Sequence, residues 1–335
     1  MNLTNQQFRL ASRPTGLPTR ETWELTEEPV PDPGEGEVAV QVLYTSLDPA
    51  MRVWLNEGDS YVPAVQVGEV MRAIGVGRVI ASGVPELAEG DHVSGIFGIQ
   101  RYAVLPGKAL TKVAGGAPLP AYLNALGIPG MTAYFGLLEI GCPEPGQTVV
   151  VSAAAGSVGS LVGQMAKVRG CRTVGIAGGG EKCRLLTEEY GFDAAVDYKG
   201  DQSVAVALRE HCQDGIDVFF DNVGGQILEA ALRNLARGAR VVLCGAISQY
   251  NEGAQEGPRN YMALLIKRAR MEGFVVFDYA RRYAEAAQEI AGWISSGQLT
   301  TREHIVDGLE TFPESLLMLY RGENTGKLML RVSEE

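Results

Sequence analysis

Six residues, Ala154-Ala155-Gly156-Ser157-Val158-Gly159, follow the GxGxxG pattern with alanine in place of its first glycine. The chemistry that this spacing serves is the binding of a pyrophosphate. A glycine at 156 lets the backbone approach phosphate oxygens, and one at 159 lets the following helix lie close against a sheet. The N-terminus of that helix then presents unpaired N–H groups to the negative charge. Residues 148–153 form a continuous apolar run that reads as a strand, and 157–169 carry helical spacing. The pattern therefore sits in the strand–turn–helix setting that it requires, and it predicts a dinucleotide site.

The next strand tip indicates which dinucleotide. An NAD site carries Asp or Glu about 20 residues past the glycines to hold the ribose diol. Here that place is Gly178-Gly179-Gly180, followed by Glu181 and Lys182. A glycine turn leaves room for an extra phosphate, and Lys182 supplies positive charge. Arg184 is near enough in sequence to share that task. NADPH is expected in preference to NADH; the alternative for Lys182 is a solvated lysine in a first helical turn. A metal is not expected. Catalytic zinc needs converging Cys, His and carboxylate ligands, whereas the three histidines, His92, His211 and His304, are not clustered with cysteine. His92 enters an apolar strand, and His211 ends a surface helix where its charge suits the dipole. Hydride transfer without zinc would need another electrophilic aid.

These residues must be held by a two-domain chain, since 335 residues exceed one ordinary core. Hydrophobic residues make up 46% and charged ones 21%, the balance of a globular protein. The net charge of -11 disfavours nucleic acid and anionic membranes as partners. Five scattered cysteines form no disulfide framework, which suits a reducing compartment, and a cytoplasmic location is expected. The uncharged stretches 113–138 and 145–166 are broken by Pro118, Pro120 and Pro129 and by Gly156, Gly159 and Gly163, so both read as buried structure and not as membrane spans.

Up to about residue 125 the signals are β. Val38, Val40 and Val42 alternate in a strand over 37–44, and short apolar runs at 77–81 and 92–97 follow. From 148 strands alternate with helices: strands at 148–153, 173–177, 194–198, 216–221, 240–246 and 274–277, helices at 157–169, 181–190, 202–211, 226–235 and 260–268. That alternation predicts a parallel six-stranded sheet covered on both faces. Another helix is expected over 279–296, and 311–331 returns to mixed structure that rejoins the N-terminal part.

Several blocks, in order, resemble those of a known family. They are Arg13-Pro14-x-Gly16-x-Pro18, Ser46-Leu47-Asp48-Pro49-x-Met51-Arg52, the glycine turn within Ala153–Ser160, Asp221-Asn222-Val223-Gly224-Gly225, the segment Cys244-Gly245-Ala246-Ile247-Ser248-x-Tyr250-Asn251, Arg270–Val276, and Asn324-x-Gly326-Lys327. The chain resembles, end to end, the zinc-independent medium-chain dehydrogenases/reductases of the leukotriene B4 dehydrogenase, prostaglandin reductase and curcumin-reductase type. The resemblance implies a Rossmann NADP-binding domain over 126–299, and a mostly β GroES-like substrate domain from 1–125 plus 300–335. It implies that Gly156, Ser157, Val158 and Gly159 meet the pyrophosphate and that Lys182 and Tyr198 hold the 2′-phosphate. Asn222 and the loop of Cys244, Gly245, Ala246, Ile247 and Ser248 would lie along the cofactor. Phe274, Val275 and Val276 would flank the nicotinamide, and Asn324 would reach in from the tail. One departure is Ala50, where family members often carry tyrosine.

The implied reaction is reduction of the carbon–carbon double bond of α,β-unsaturated ketones or aldehydes, by hydride delivery to the β-carbon. Tyr250 is the candidate donor to the carbonyl oxygen, where charge builds; its alternative role is to line the cofactor or cap a loop. Tyr44 and Tyr61 are weaker candidates, as aromatic residues of strand-rich regions more often pack. Asp48 and Asp221 are expected to organise loops, and Arg52 to bind in the neighbourhood of Asp48, its alternative role being to steer an anionic substrate. The rivals are an NADPH:quinone reductase and a non-catalytic, redox-responsive NADPH-binding protein. A homodimer is expected, because an apolar sixth strand at the sheet edge would otherwise lie exposed.

Overall fold

The computed structural model describes residues 2–252 and 256–335. The chain forms two compact units, residues 124–302 and residues 1–123 with 303–335. The first is a six-stranded parallel sheet: β1 (Thr148–Val151), β2 (Arg172–Ala177), β3 (Ala194–Asp197), β4 (Ile216–Asp221), β5 (Leu235–Leu243) and β6 (Arg270–Gly273). Their spatial order is 3-2-1-4-5-6, the doubly wound arrangement in which ligands bind beyond the carboxyl ends of the strands, where the order reverses. Here the reversal lies between β1 and β4.

Strand alternation explains why both faces are covered. Val149 and Val151 point into one core with Val218, Phe220 and Val242, while Val150 points into the other with Phe219 and Val241. Helices α1 (Ile128–Phe135), α2 (Ser157–Val168), α3 (Gly180–Arg184), α4 (Val204–His211), α5 (Gly225–Leu232), α6 (Met262–Lys267) and α7 (Tyr283–Ser295) accompany the sheet. Burying each such side chain contributes about 1.5–3 kcal/mol, which is why an apolar run such as 149–151 becomes a strand with no exposed face.

Two expectations about these elements are corrected. The apolar run 274–277 is not the sixth strand; that strand is Arg270–Gly273. Pairing ends where β5 ends, with Leu243 opposite Gly273. The run beyond it turns inward: Phe274 packs edge-on to Phe220, ring centroids 6.5 Å apart, and Val276 opens a 3-10 helix, Val276–Arg282. Val276 is buried there and Phe277 is exposed, so the apolar run does not mark a paired strand. The helix expected over 226–235 stops at Leu232, because Leu235 already pairs with Ile216 in the sheet.

The second unit is mostly β, as expected of a GroES-like fold. Its larger sheet is centred on Glu37–Ser46, which pairs with Ile74–Ser82, Tyr102–Pro106 and the C-terminal strand Lys327–Arg331. A hairpin of Thr4–Leu10 and Trp23–Pro29, not foreseen in the sequence, adds a two-stranded sheet. The resemblance blocks of this unit prove to be internal fastenings. The Arg52 guanidinium donates to the carbonyls of Gly16 (2.9 Å) and Pro14 (3.1 Å), clasping the Arg13–Pro18 segment. Lys327, almost wholly buried, donates to Leu47 O (3.0 Å) and Asp48 Oδ1 (2.6 Å), and Ser46 Oγ donates to Asp48 Oδ2. Asp48 therefore organises loops, as expected, and Arg52 does so through the Arg13–Pro18 segment. Tyr44 donates to Glu335 Oε1 (2.8 Å), and Tyr61 is exposed.

Candidate active site

The glycine turn joins β1 to α2. Ala153, with φ of 49°, carries the chain through a left-handed bend that L-residues seldom adopt. Gly156 caps α2 and its N–H donates to Ala153 O at 2.9 Å. A Cβ on Gly159 would stand 2.4 Å from Ala153 O and 2.9 Å from Ala154 Cα, so helix and turn meet at a distance only glycine permits. The first N–H groups of α2 have no partner within the helix and open beyond the sheet. Ser157 Oγ donates to Asn124 Oδ1 (2.8 Å), which turns this hydroxyl toward its own unit's framework.

The second glycine turn, Gly178–Gly180, leads from β2 into α3. Gly179 has φ of 96° and donates to Asp197 Oδ1 at 2.7 Å. The phenol end of Tyr198 lies against Gly178, where a Cβ would meet Tyr198 Cζ at 2.7 Å and its hydroxyl at 2.8 Å. Lys182 rises from α3, its ammonium held below the usual lysine range by burial first and by Lys199 second. Arg184 stands at the same turn, its Nη1 3.7 Å from where a Cβ on Gly180 would be. Lys182 and Tyr198 thus come to one turn from two strands.

A third turn, Asp221–Gly225, follows β4, and the Cys244–Tyr250 loop follows β5. They are stitched together. Asp221 O receives the N–H groups of Cys244 (2.9 Å) and Gly245 (3.1 Å); Asn222 O receives that of Ile247 (3.2 Å), and Val223 O receives Ser248 N (3.2 Å) and Oγ (2.6 Å). The buried Asp221 carboxylate fixes the first of these turns to the end of β1: Oδ1 accepts from Ser152 Oγ (2.8 Å), Val223 N (3.0 Å) and Gly224 N (3.1 Å). Burial pushes its pKa up, opposed by these donors. Asn222 is tied back as well, its N–H donating to Ser152 Oγ and its side-chain amide to Ser152 O, both at 2.8 Å. Ser152, the polar end of an otherwise apolar run, was missed in the sequence; a hydroxyl at such a strand tip is the signal that marks it.

Tyr250 folds over its own loop. Its hydroxyl accepts from Ala246 N–H at 3.1 Å, and a Cβ on Gly245 would stand 2.8 Å from that oxygen. Burial, with a smaller effect of Asp221, pushes the Cys244 thiol up to about 12, so it stays protonated and is no nucleophile. Phe274 seats against Gly136, Val276 is buried, and Val276 O receives the Tyr283 hydroxyl (3.0 Å). Asn324 belongs to the other unit, where its amide donates to Gly326 O (3.0 Å). Among the described residues no three His, Cys, Asp or Glu side chains converge as a metal site.

The fit of this unit to a phosphorylated dinucleotide is specific. Two glycine cradles lie at neighbouring strand ends, one opening a helix N-terminus and the other flanked by lysines, as a pyrophosphate and a second phosphate require. The fold and these turns define a nicotinamide-dinucleotide oxidoreductase of the two-domain medium-chain type.

Comparison with known proteins places it more narrowly. Residues 6–113 match the family model described as the N-terminal domain of oxidoreductase, and residues 157–292 match the one described as zinc-binding dehydrogenase. The chain is 42% identical to the NADPH-dependent curcumin reductase of Escherichia coli, over 98% of this chain and 97% of that protein. It is 41% identical to the NADP-dependent 2-alkenal reductase of Nicotiana tabacum, over 99% of each. The crystal structure of CurA from Vibrio vulnificus in complex with NADPH superposes with a TM-score of 0.94 at 42% identity, covering 98% of this chain and all of that one. The chain belongs to the zinc-independent medium-chain dehydrogenase/reductase family that includes these reductases.

Proposed function

We propose that the protein is an NADPH-dependent reductase of the carbon–carbon double bond of small α,β-unsaturated ketones and aldehydes. The observation that carries this reading is the likeness, above 40% and end to end, to reductases of curcumin and of 2-alkenals. The nucleotide unit supports it with the Gly178–Gly180 turn, against which the Tyr198 phenol lies and from which Lys182 rises.

In this reading Gly156, Ser157, Val158 and Gly159 hold the pyrophosphate, and Lys182 and Tyr198 the 2′-phosphate. Asn222 and the Cys244–Ser248 loop line the cofactor, and Phe274, Val275 and Val276 border its nicotinamide. NADPH, when bound, supplies the hydride. As the β-carbon of the substrate gains that hydride, the double-bond electrons move toward the carbonyl oxygen, and the α-carbon then takes a proton from water. The Tyr250 hydroxyl donates a hydrogen bond to that oxygen. Because it already accepts from Ala246 N–H, its own proton is drawn thin and becomes a better donor.

The test is NADPH oxidation with short enals, enones, curcumin-like dienones and quinones in parallel, with NADH as comparison. Turnover of enones and enals with NADPH well ahead of NADH is expected. Turnover of quinones alone would replace this function with quinone reduction, and cofactor binding without oxidation would leave a binding protein.

Free thiols at all five cysteines suit a reducing compartment, in keeping with a cytoplasmic enzyme. The assembly is a homodimer in this reading. Strand β6 lies at the sheet edge, and nearby in sequence α6 exposes Leu265 (69%) and Ile266 (64%). A twin pairing along β6 would cover both. Sedimentation at micromolar concentration should give twice the chain mass, with Leu265→Glu shifting it toward the monomer; a wild-type monomer refutes the dimer.

A further inference from the structure

The turn after β3 holds a cation to which the roles above give no task. Lys199 follows Tyr198, and its backbone N–H donates to Asp197 Oδ1 at 2.9 Å. The same oxygen receives Gly179 N–H at 2.7 Å, so one carboxylate fastens the Gly178–Gly180 turn to the Tyr198–Lys199 turn. The Lys199 ammonium stands over the Tyr198 ring, 5.9 Å from its centroid, while the phenol end of that ring lies against Gly178. Lys199 forms no ion pair with a carboxylate among the described residues.

Lys182 approaches the same place from α3, near enough that Lys199 adds to the depression of its ammonium pKa that burial begins. Two like charges held together by a rigid pair of turns are unfavourable on their own and favourable around an anion. The carboxylate nearest in the chain, Asp197, offsets part of this charge, but its Oδ1 is already taken by two backbone donors. A cation–π contact at an exposed ring is weak and does not require the lysines to face each other.

The geometry points to Lys199 as a second cationic contact to the 2′-phosphate of NADPH, over the Tyr198 ring and beside the turn from which Lys182 rises, and therefore as a residue that sets the preference for NADPH over NADH. This rests on the cofactor reading above. The two coenzymes differ only in that phosphate, so the contribution is visible as a ratio of affinities.

Fluorescence titration of the purified enzyme with each coenzyme tests it. Lys199→Met is expected to raise the Kd for NADPH roughly tenfold, the loss of one hydrogen bond to a charged group, and to leave the Kd for NADH within about twofold. Lys199→Arg should retain most of the NADPH affinity, and Lys182→Met serves as a positive control. Equal weakening of both coenzymes would make Lys199 a structural residue, and an unchanged NADPH affinity in Lys199→Met would also overturn the proposal. Wild-type enzyme without a preference for NADPH would instead overturn the cofactor reading, before any variant is compared.

Discussion

Tyr250→Phe is expected to lower kcat by about 10²–10³, equivalent to about 2.7–4 kcal/mol of barrier, the usual cost of removing one donor to a developing oxyanion. The Kd for NADPH should hardly change, because the one bond within the loop that is lost is that from Ala246 N–H, while the other bonds that hold the loop, from Cys244, Gly245, Ile247 and Ser248, remain. If the donor acts only as charge develops, kcat and kcat/KM fall together. A loop-capping role predicts something else: a lowered melting temperature, weaker NADPH binding and a kcat within a few-fold of wild type. The position of Gly245 offers an internal control. A Cβ there meets the Tyr250 hydroxyl at 2.8 Å and otherwise nothing closer than 3.5 Å. Gly245→Ala should therefore slow the wild type by displacing the phenol and be nearly silent in the Tyr250→Phe background, where the obstructing atom is gone. Additive losses would show that the glycine acts elsewhere.

Asp221→Ala is expected to destabilise the protein by about 3–5 kcal/mol. It strands the Ser152 hydroxyl and the N–H groups of Val223 and Gly224 in a buried site, and each buried donor left unpaired costs about 1–3 kcal/mol. For a unit of this size the melting temperature should fall on the order of 10 °C. Asp221→Asn should lose less, since an amide oxygen at the Oδ1 position keeps the bonds from Ser152, Val223 and Gly224, and only the second bond of Gly224 N–H, to Oδ2 at 3.1 Å, is replaced by an opposed NH2. Burial already disfavours the charge on this carboxyl, so its value lies in accepting hydrogen bonds more than in being ionised. Thermal denaturation of the two variants decides this; an equal, large loss in both would mean that the charge itself is required.

How far the sequence carried the account depends on the range over which each signal acts. Strand Ile216–Asp221 was legible to the residue, because the apolar Val218, Phe219 and Phe220 at its centre decide their own burial. The glycine turn was legible because its chemistry is written within six consecutive residues. The run 274–277 was misread because apolar character does not say what a segment pairs with: Val276 is buried while Phe277 is exposed. Ser152 and Asp221 stand 69 residues apart and meet only because β1 and β4 are neighbours. Asp221 was expected to organise a loop, but its partner across the sheet could not be read from either strand. Lys199 was not singled out for the same reason: its electrostatic neighbour Lys182 lies on α3, after a different strand.

The reaction can be followed with NADPH carrying deuterium at the transferred position of its nicotinamide and a simple enone as substrate. The product should be the saturated ketone with deuterium on the β-carbon and solvent hydrogen on the α-carbon. Deuterium on the carbinol carbon of an allylic alcohol would contradict the proposed double-bond reduction.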